Sequence, residues 1–178
     1  MSETKKIILS GLLLSILIVF SRFISIKTQI LVISLSFIPI IISAILLGPK
    51  YSFLIAGLGD LIGALLFPFG EYFVGFTITA ALSGLIYGLI LYNKTENEFY
   101  TGKKLIIRLI LSSLLVLVII NIFIKSYMIH LLYGKAFIAV LSTRIIAELI
   151  MIPIQIAVIY FINPVLIKYY NQFLLDND

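Results

Sequence analysis

The sequence has no cysteine among its 178 residues, which excludes disulfides, iron–sulfur ligation and thiolate catalysis together. Its one histidine, His130, excludes a His-rich metal site. Charge is scarce too. Only 12% of the residues are charged, against about 25% in a soluble domain. No phosphate-binding G-x-x-x-x-G-K-[ST] loop occurs, because Gly102-Lys103 is followed by Lys104 and Gly134-Lys135 by Ala136. There is no His–Glu metal helix, no G-x-S-x-G and no pair of matching halves such as secondary transporters show. If the chain binds a solute, it does not drive that solute's movement alone.

What the chain does have is apolar length. It is 62% hydrophobic with a mean hydropathy of +1.21, the composition of an all-α integral membrane protein. Residues 1–178 leave room for one compact transmembrane domain and no separate globular one. The basic pI of about 9.4 does not point to nucleic acid, since the cations are scattered between apolar runs. Loop charges that set membrane topology account for them better. Lys5-Lys6 followed by Ile7 to Phe20 has the look of a signal peptide. No small-residue cleavage site follows, so a retained first span is expected.

About 20 apolar residues cross the hydrocarbon core as a helix. On that measure six spans are expected: Lys6–Ile26, Ile30–Leu47, Tyr51–Phe67, Tyr72–Tyr92, Lys104–Lys125 and Ala136–Ile167. Six spans put both termini on one side. That side would carry Lys5, Lys6, Lys50, Lys94, Lys103, Lys104, Arg108 and Lys168, and the other Arg22, Lys27, Lys125, Lys135 and Arg144. The bias puts the termini in the cytoplasm. Lys125, His130 and Lys135 read as an exposed loop.

Ionisable residues inside a span are costly and need a reason. From Lys50, Asp60 lies about 15 Å up its helix, near the midplane. Three roles fit it: a ligand contact, the partner of a pocket cation, or a helix-packing residue satisfied by backbone. Arg22, about 24 Å from Lys6, is placed near the outer boundary. Arg144, Glu148 and Gln155 fall within about 40° of one another on a helix. They are either an Arg–Glu pair with a packing Gln, or a ligand stripe in which Arg forks a carboxylate and Glu and Gln meet a heterocycle's edge.

An elbow follows Asp60. Phe67, Phe69, Tyr72, Phe73 and Phe76 crowd around Gly70, Gly75 and the acid Glu71. They form either a membrane-interface belt or the stacking wall of a cavity. In the first span, Gly11-x-x-x-Ser15 is a small-xxx-small pattern, fitted either to internal packing or to an external docking face.

Several runs together resemble the substrate-binding S-components of energy-coupling factor vitamin transporters, along nearly the whole chain. They are Ser21-Arg22-Phe23, Phe37-Ile38-Pro39, Leu47-Gly48-Pro49, Gly59-Asp60-Leu61-Ile62-Gly63 and Phe67-Pro68-x-Gly70-x-Tyr72-Phe73-x-Gly75-Phe76-Thr77. Within that group the chain is most similar to the folate-specific branch, with Val74 where the family's P-x-G-x-Y/F-x-P-G-F-T run has proline. The resemblance implies a six-helix bundle with cytoplasmic termini that captures folate from outside and is no enzyme. It implies no cofactor. It further implies a transmembrane coupling subunit and two ATP-binding-cassette ATPases as partners, with Gly11 and Ser15 replacing the family's A-x-x-x-A docking face. The ligand-binding residues so implied are Arg22, Asp60, Phe69, Gly70, Tyr72, Phe76, Thr77, Arg144, Glu148 and Gln155. An S-component for another vitamin or small heterocycle remains open. So does a small membrane enzyme or assembly subunit, although the sequence offers no paired nucleophile and base.

Overall fold

A computed structural model describes residues 1–27, 32–68, 72–93, 99–134 and 136–174. Its described part is helical apart from one short hairpin. Helix α1 (Glu3–Arg22) leads into strands β1 (Ser25–Lys27) and β2 (Val32–Ser34). Then come α2 (Phe37–Leu47), α3 (Pro49–Leu66) and α4 (Val74–Leu91). Helix α5 (Gly102–Leu115) runs through a π-helical stretch (Val116–Lys125) into α6 (Ser126–Tyr133), and α7 (Phe137–Tyr169) closes the bundle with a last π-turn (Tyr170–Leu174). Five of these rods are long and apolar enough to cross a membrane; α2 is the short one. The protein is an all-α integral membrane bundle.

The expected second span, Ile30–Leu47, is corrected to an 11-residue helix preceded by strand. The reason is local. Ser34 Oγ pairs with Ser36 Oγ at 2.6 Å and accepts the Ser36 amide at 3.3 Å. A side chain that bonds its own backbone in this way competes with a helix. The strands pair antiparallel, Ser25 with Ser34 and Ile26 with Ile33. A helix of this length covers only about half of a ~30 Å core. It is tolerated because it is sheathed in protein, with Ile41 and Ala44 fully buried.

The fifth rod is corrected in the other direction. It continues without a break to Leu132, 31 residues from Gly102. Lys125 and His130 therefore lie in helix, where an exposed loop was expected, and the His130 ring stands 6.0 Å from Phe137 edge-on. Lys135 lies outside the described residues.

Helices α3 and α4 form the tightest pair. A Cβ on Gly84 would run into the Ser52 carbonyl, and one on Gly88 into the Pro49 backbone. The Ser52 hydroxyl donates across the gap to the Gly84 carbonyl at 2.8 Å, fully buried. In lipid such close van der Waals approach holds helices together, because lipid tails are as apolar as the side chains. Gly84→Leu is expected to destabilise the protein by at least the ~1–3 kcal/mol of ordinary overpacking. A lower thermal midpoint in detergent, against an unchanged one for Gly11→Ala, would show it. Nothing lies within 4 Å of a Cβ at Gly11.

The start of α1 and the end of α7 lie at one end of the bundle, where Lys6 acts on Tyr170. There Glu3 takes the Lys6 ammonium at 2.6 Å and the Tyr51 hydroxyl at 2.8 Å, tying α1 to α3. Phe99 packs edge-on against Tyr170 at 4.8 Å. The hairpin, leaving α1 after Arg22, belongs to the opposite end.

Candidate functional site

At that opposite end the polar residues of five rods come together. The Arg22 guanidinium of α1 donates to the Asp60 carbonyl at 3.0 Å and to Asp60 Oδ1 at 3.4 Å. Room for it exists because α3 has no side chain at Gly63, where a Cβ would sit 2.6 Å from Arg22 Nε. Thr77 of α4 donates to Asp60 Oδ2 at 2.8 Å, and Tyr72 shares a 3.0 Å hydrogen bond with Thr77. The Arg22 and Asp60 side chains are 12% and 30% exposed, so water screens this pair less than it would a surface pair. Of the three roles open to Asp60, the structure shows it partnering a cation.

The second half of the cluster comes from the fifth rod and α7. Asn121 donates to Glu148 Oε1 at 2.6 Å. Lys125 lies within electrostatic reach of Glu148 and Asp60, which attract it, and of Arg144, which repels it. Arg144 in turn acts on Glu148. Neither Asn121 nor Lys125 was singled out from the sequence as a ligand residue. Both belong to the π-helical stretch, where the Ser126 amide and hydroxyl close back on the Asn121 carbonyl, five residues earlier. Such stretches are rare and concentrate at functional sites. Asn121 reaches Glu148 from within this stretch.

The expected stripe along α7 divides in two. Arg144 and Glu148 join the cluster. Gln155, 7% exposed, is tied into the core, where its oxygen accepts the Tyr87 hydroxyl at 3.2 Å and the Ser113 hydroxyl at 3.4 Å. Gln155 thus bridges α4, α5 and α7. No sequence signal names Tyr87 and Ser113 as its partners.

Of the aromatic elbow, Phe69, Gly70 and Glu71 lie outside the described residues. Phe73 and Phe76 stack edge-on at 5.8 Å, and Phe67 meets Phe23 of α1 at 4.9 Å. Gly75 lets α4 start against the fifth rod, since a Cβ there would strike Met128 and Phe73. The aromatics therefore pack beside Thr77, at the rim of the charged cluster.

Among the described residues the cluster's charge is unbalanced. Arg22, Lys125 and Arg144 face Asp60 and Glu148, three cations against two anions. A surplus positive charge held in apolar surroundings favours an anionic ligand. Aromatic faces and a carboxylate beside an amide add stacking and a donor/acceptor edge. No group of His, Cys, Asp and Glu able to hold a metal occurs among the described residues.

Gly11 and Ser15 lie apart from this site, on the outer surface of α1. Both are exposed, and Ser15 donates to the Gly11 carbonyl at 2.9 Å. Among the described residues nothing packs on Gly11. Among the described residues the pattern is thus not used for packing within the bundle at Gly11.

Known proteins match the chain along its length. The model of the family described as "ECF transporter, substrate-specific component" matches residues 5–163. A folate transporter FolT of Clostridium novyi (strain NT) is 34% identical over 160 residues, covering 90% of this chain and 88% of that protein. A folate transporter FolT of Leuconostoc mesenteroides subsp. mesenteroides is 34% identical over 165 residues, covering 90% and 85%. Among solved structures, the crystal structure of FolT bound with folic acid superposes with a TM-score of 0.79 at 37% identity, over 92% of this chain and 97% of that one.

Proposed function

This chain belongs to the family of substrate-specific components of ECF transporters, and we propose that its ligand is folate, captured at the membrane surface opposite the termini. It is a multi-pass membrane transport component, not an enzyme. The observation that carries the folate reading is the cluster with surplus positive charge beside an aromatic rim, in a fold matching FolT bound with folic acid.

The chemistry divides among the residues as follows. Folate carries two carboxylates on its glutamate tail, a benzoyl ring, and a pterin with a donor/acceptor edge. Both oxygens of Asp60 are engaged within the protein, one by Arg22 and one by Thr77. Glu148 is therefore the better partner for the pterin edge, steadied by Asn121. The benzoyl ring lies against Phe76 and Tyr72. Arg144 takes the tail carboxylates with Lys125 beside it, since a guanidinium matches a carboxylate in a fork. Arg22, Asp60 and Thr77 hold the floor of the site, and Gln155 sets the helix spacing behind it.

Delivery across the membrane requires partners. The exposed Gly11–Ser15 face of α1 docks a transmembrane coupling subunit that is driven by two ATP-binding-cassette ATPases, and the termini lie in the cytoplasm. The purified chain is expected to bind folate tightly and to hydrolyse no ATP. Calorimetry that gives heat with riboflavin, thiamine or biotin but none with folate would move the ligand and leave the family untouched.

A further inference from the structure

A cavity of about 410 Å³ opens at the other end of the molecule, between the first turn of α5 and the last third of α7. Thr101, Gly102, Tyr160, Phe161 and Asn163 are among the residues that line it. It shares no residue with the charged cluster, and nothing in the folate reading uses it.

Three features of this cavity call for a ligand. Asn163 is 2% exposed and donates to the Tyr100 carbonyl at 3.2 Å, while its Oδ1 has no hydrogen-bond partner among the described residues. A buried acceptor left without a donor is uncommon in native proteins. Pro164, which follows, has no N–H to return to the Tyr160 carbonyl, so a second acceptor on this wall lacks its helix bond. On the facing wall, the N-terminus of the 14-residue α5 has no side-chain cap from Thr101 and no acid in its first turn. Instead that turn holds exposed Lys103 and Lys104. Cations beside the positive end of a helix repel it, and an anion between them relieves both. Exposed Lys168 stands one turn beyond Pro164.

The outer edge is apolar. Phe161 is 76% and Tyr160 42% exposed on a membrane-spanning helix, so both face lipid. One occupant supplies an anion, hydrogen-bond donors and acyl chains at once. We propose that this pocket binds the headgroup of an anionic phospholipid with a polyol head, of which phosphatidylglycerol is the simplest, from the leaflet on the side of the termini. The phosphate sits on the α5 amides between Lys103 and Lys104. A headgroup hydroxyl donates to Asn163 Oδ1, and the acyl chains run down past Phe161 and Tyr160.

The test is native mass spectrometry of the delipidated full chain, titrated with dioleoyl phosphatidylglycerol, phosphatidylethanolamine or phosphatidylcholine. One phosphatidylglycerol is expected to be retained at no more than about a fifth of the concentration that the other two need. Asn163→Leu should remove most of that preference. The surface double variant Lys103→Gln/Lys104→Gln, which leaves the core intact, should do the same while folate binding stays at the wild-type value. Equal retention of the three lipids would overturn the proposal. So would undiminished preference in the lysine variant, or displacement of the lipid by inorganic phosphate alone.

Discussion

Arg144→Ala is expected to weaken folate binding by roughly 30- to several-thousand-fold, whereas Lys50→Ala should change it by less than about threefold. The magnitude follows from the cost of about 2–5 kcal/mol for removing one partner of a desolvated charge pair, at 1.4 kcal/mol per factor of ten. Arg144 is half-buried and acts on Glu148. Its loss removes a cation from the tail carboxylates and leaves Lys125 alone to balance Glu148. Lys50 is exposed in the first turn of α3, at the end that holds the termini. Calorimetry on both variants, with monodisperse elution as the check on folding, measures the difference. Equal affinities would make the Arg144–Glu148 pair a structural element of α7.

The second large effect concerns transport rather than binding. Gly11→Leu and Ser15→Leu are each expected to abolish folate uptake while leaving folate affinity unchanged. Both positions face outward on one side of α1, four residues apart, with open space at Gly11. Helix pairs in lipid associate through close backbone approach, and a leucine at either position holds a partner helix off. The charged cluster begins at Arg22, about 16 Å further along the same helix from Gly11. Distance therefore separates the two functions. Uptake would be measured in cells expressing the coupling subunits, and affinity in detergent. Normal uptake by both variants would place the docking face elsewhere, and joint loss of binding and uptake would show that these positions support the bundle itself.

Membrane spans were legible in the sequence because length and hydropathy alone define them. The second failed on the same logic. Ile30–Leu47 is largely apolar, and hydropathy does not distinguish a helix from a strand followed by a short helix. The Ser34–Ser36 turn decided the matter, and it acts through geometry that composition does not register. Lys125 was misplaced for a related reason. Counting about 20 residues from Lys104 ends the span at Lys125, but the rod continues to Leu132, which keeps Lys125 in helix.

The site was legible in part. Asp60, Arg22, Arg144 and Glu148 were conspicuous because charge in an apolar run is costly, and the structure brings all four to one end of the bundle. Depth counting alone put Arg22 and Asp60 at different levels, yet their side chains touch. Gly63 is what admits the guanidinium, and an absent side chain carries no signal of its own. Asn121, Tyr87 and Ser113 escaped notice because ordinary polar residues in a helix announce nothing until their partners across the bundle are known.

The chain contains no tryptophan, which permits a direct measurement of where folate sits. A single tryptophan at Phe76 lies beside the charged cluster. One at Leu89, which is 64% exposed, lies about 20 Å further along the same helix towards the termini. Folate quenches nearby indole emission. Binding between Asp60 and Glu148 predicts that stoichiometric folate strongly quenches Phe76→Trp and quenches Leu89→Trp far less, both at the calorimetric affinity. Stronger quenching of Leu89→Trp than of Phe76→Trp would contradict it.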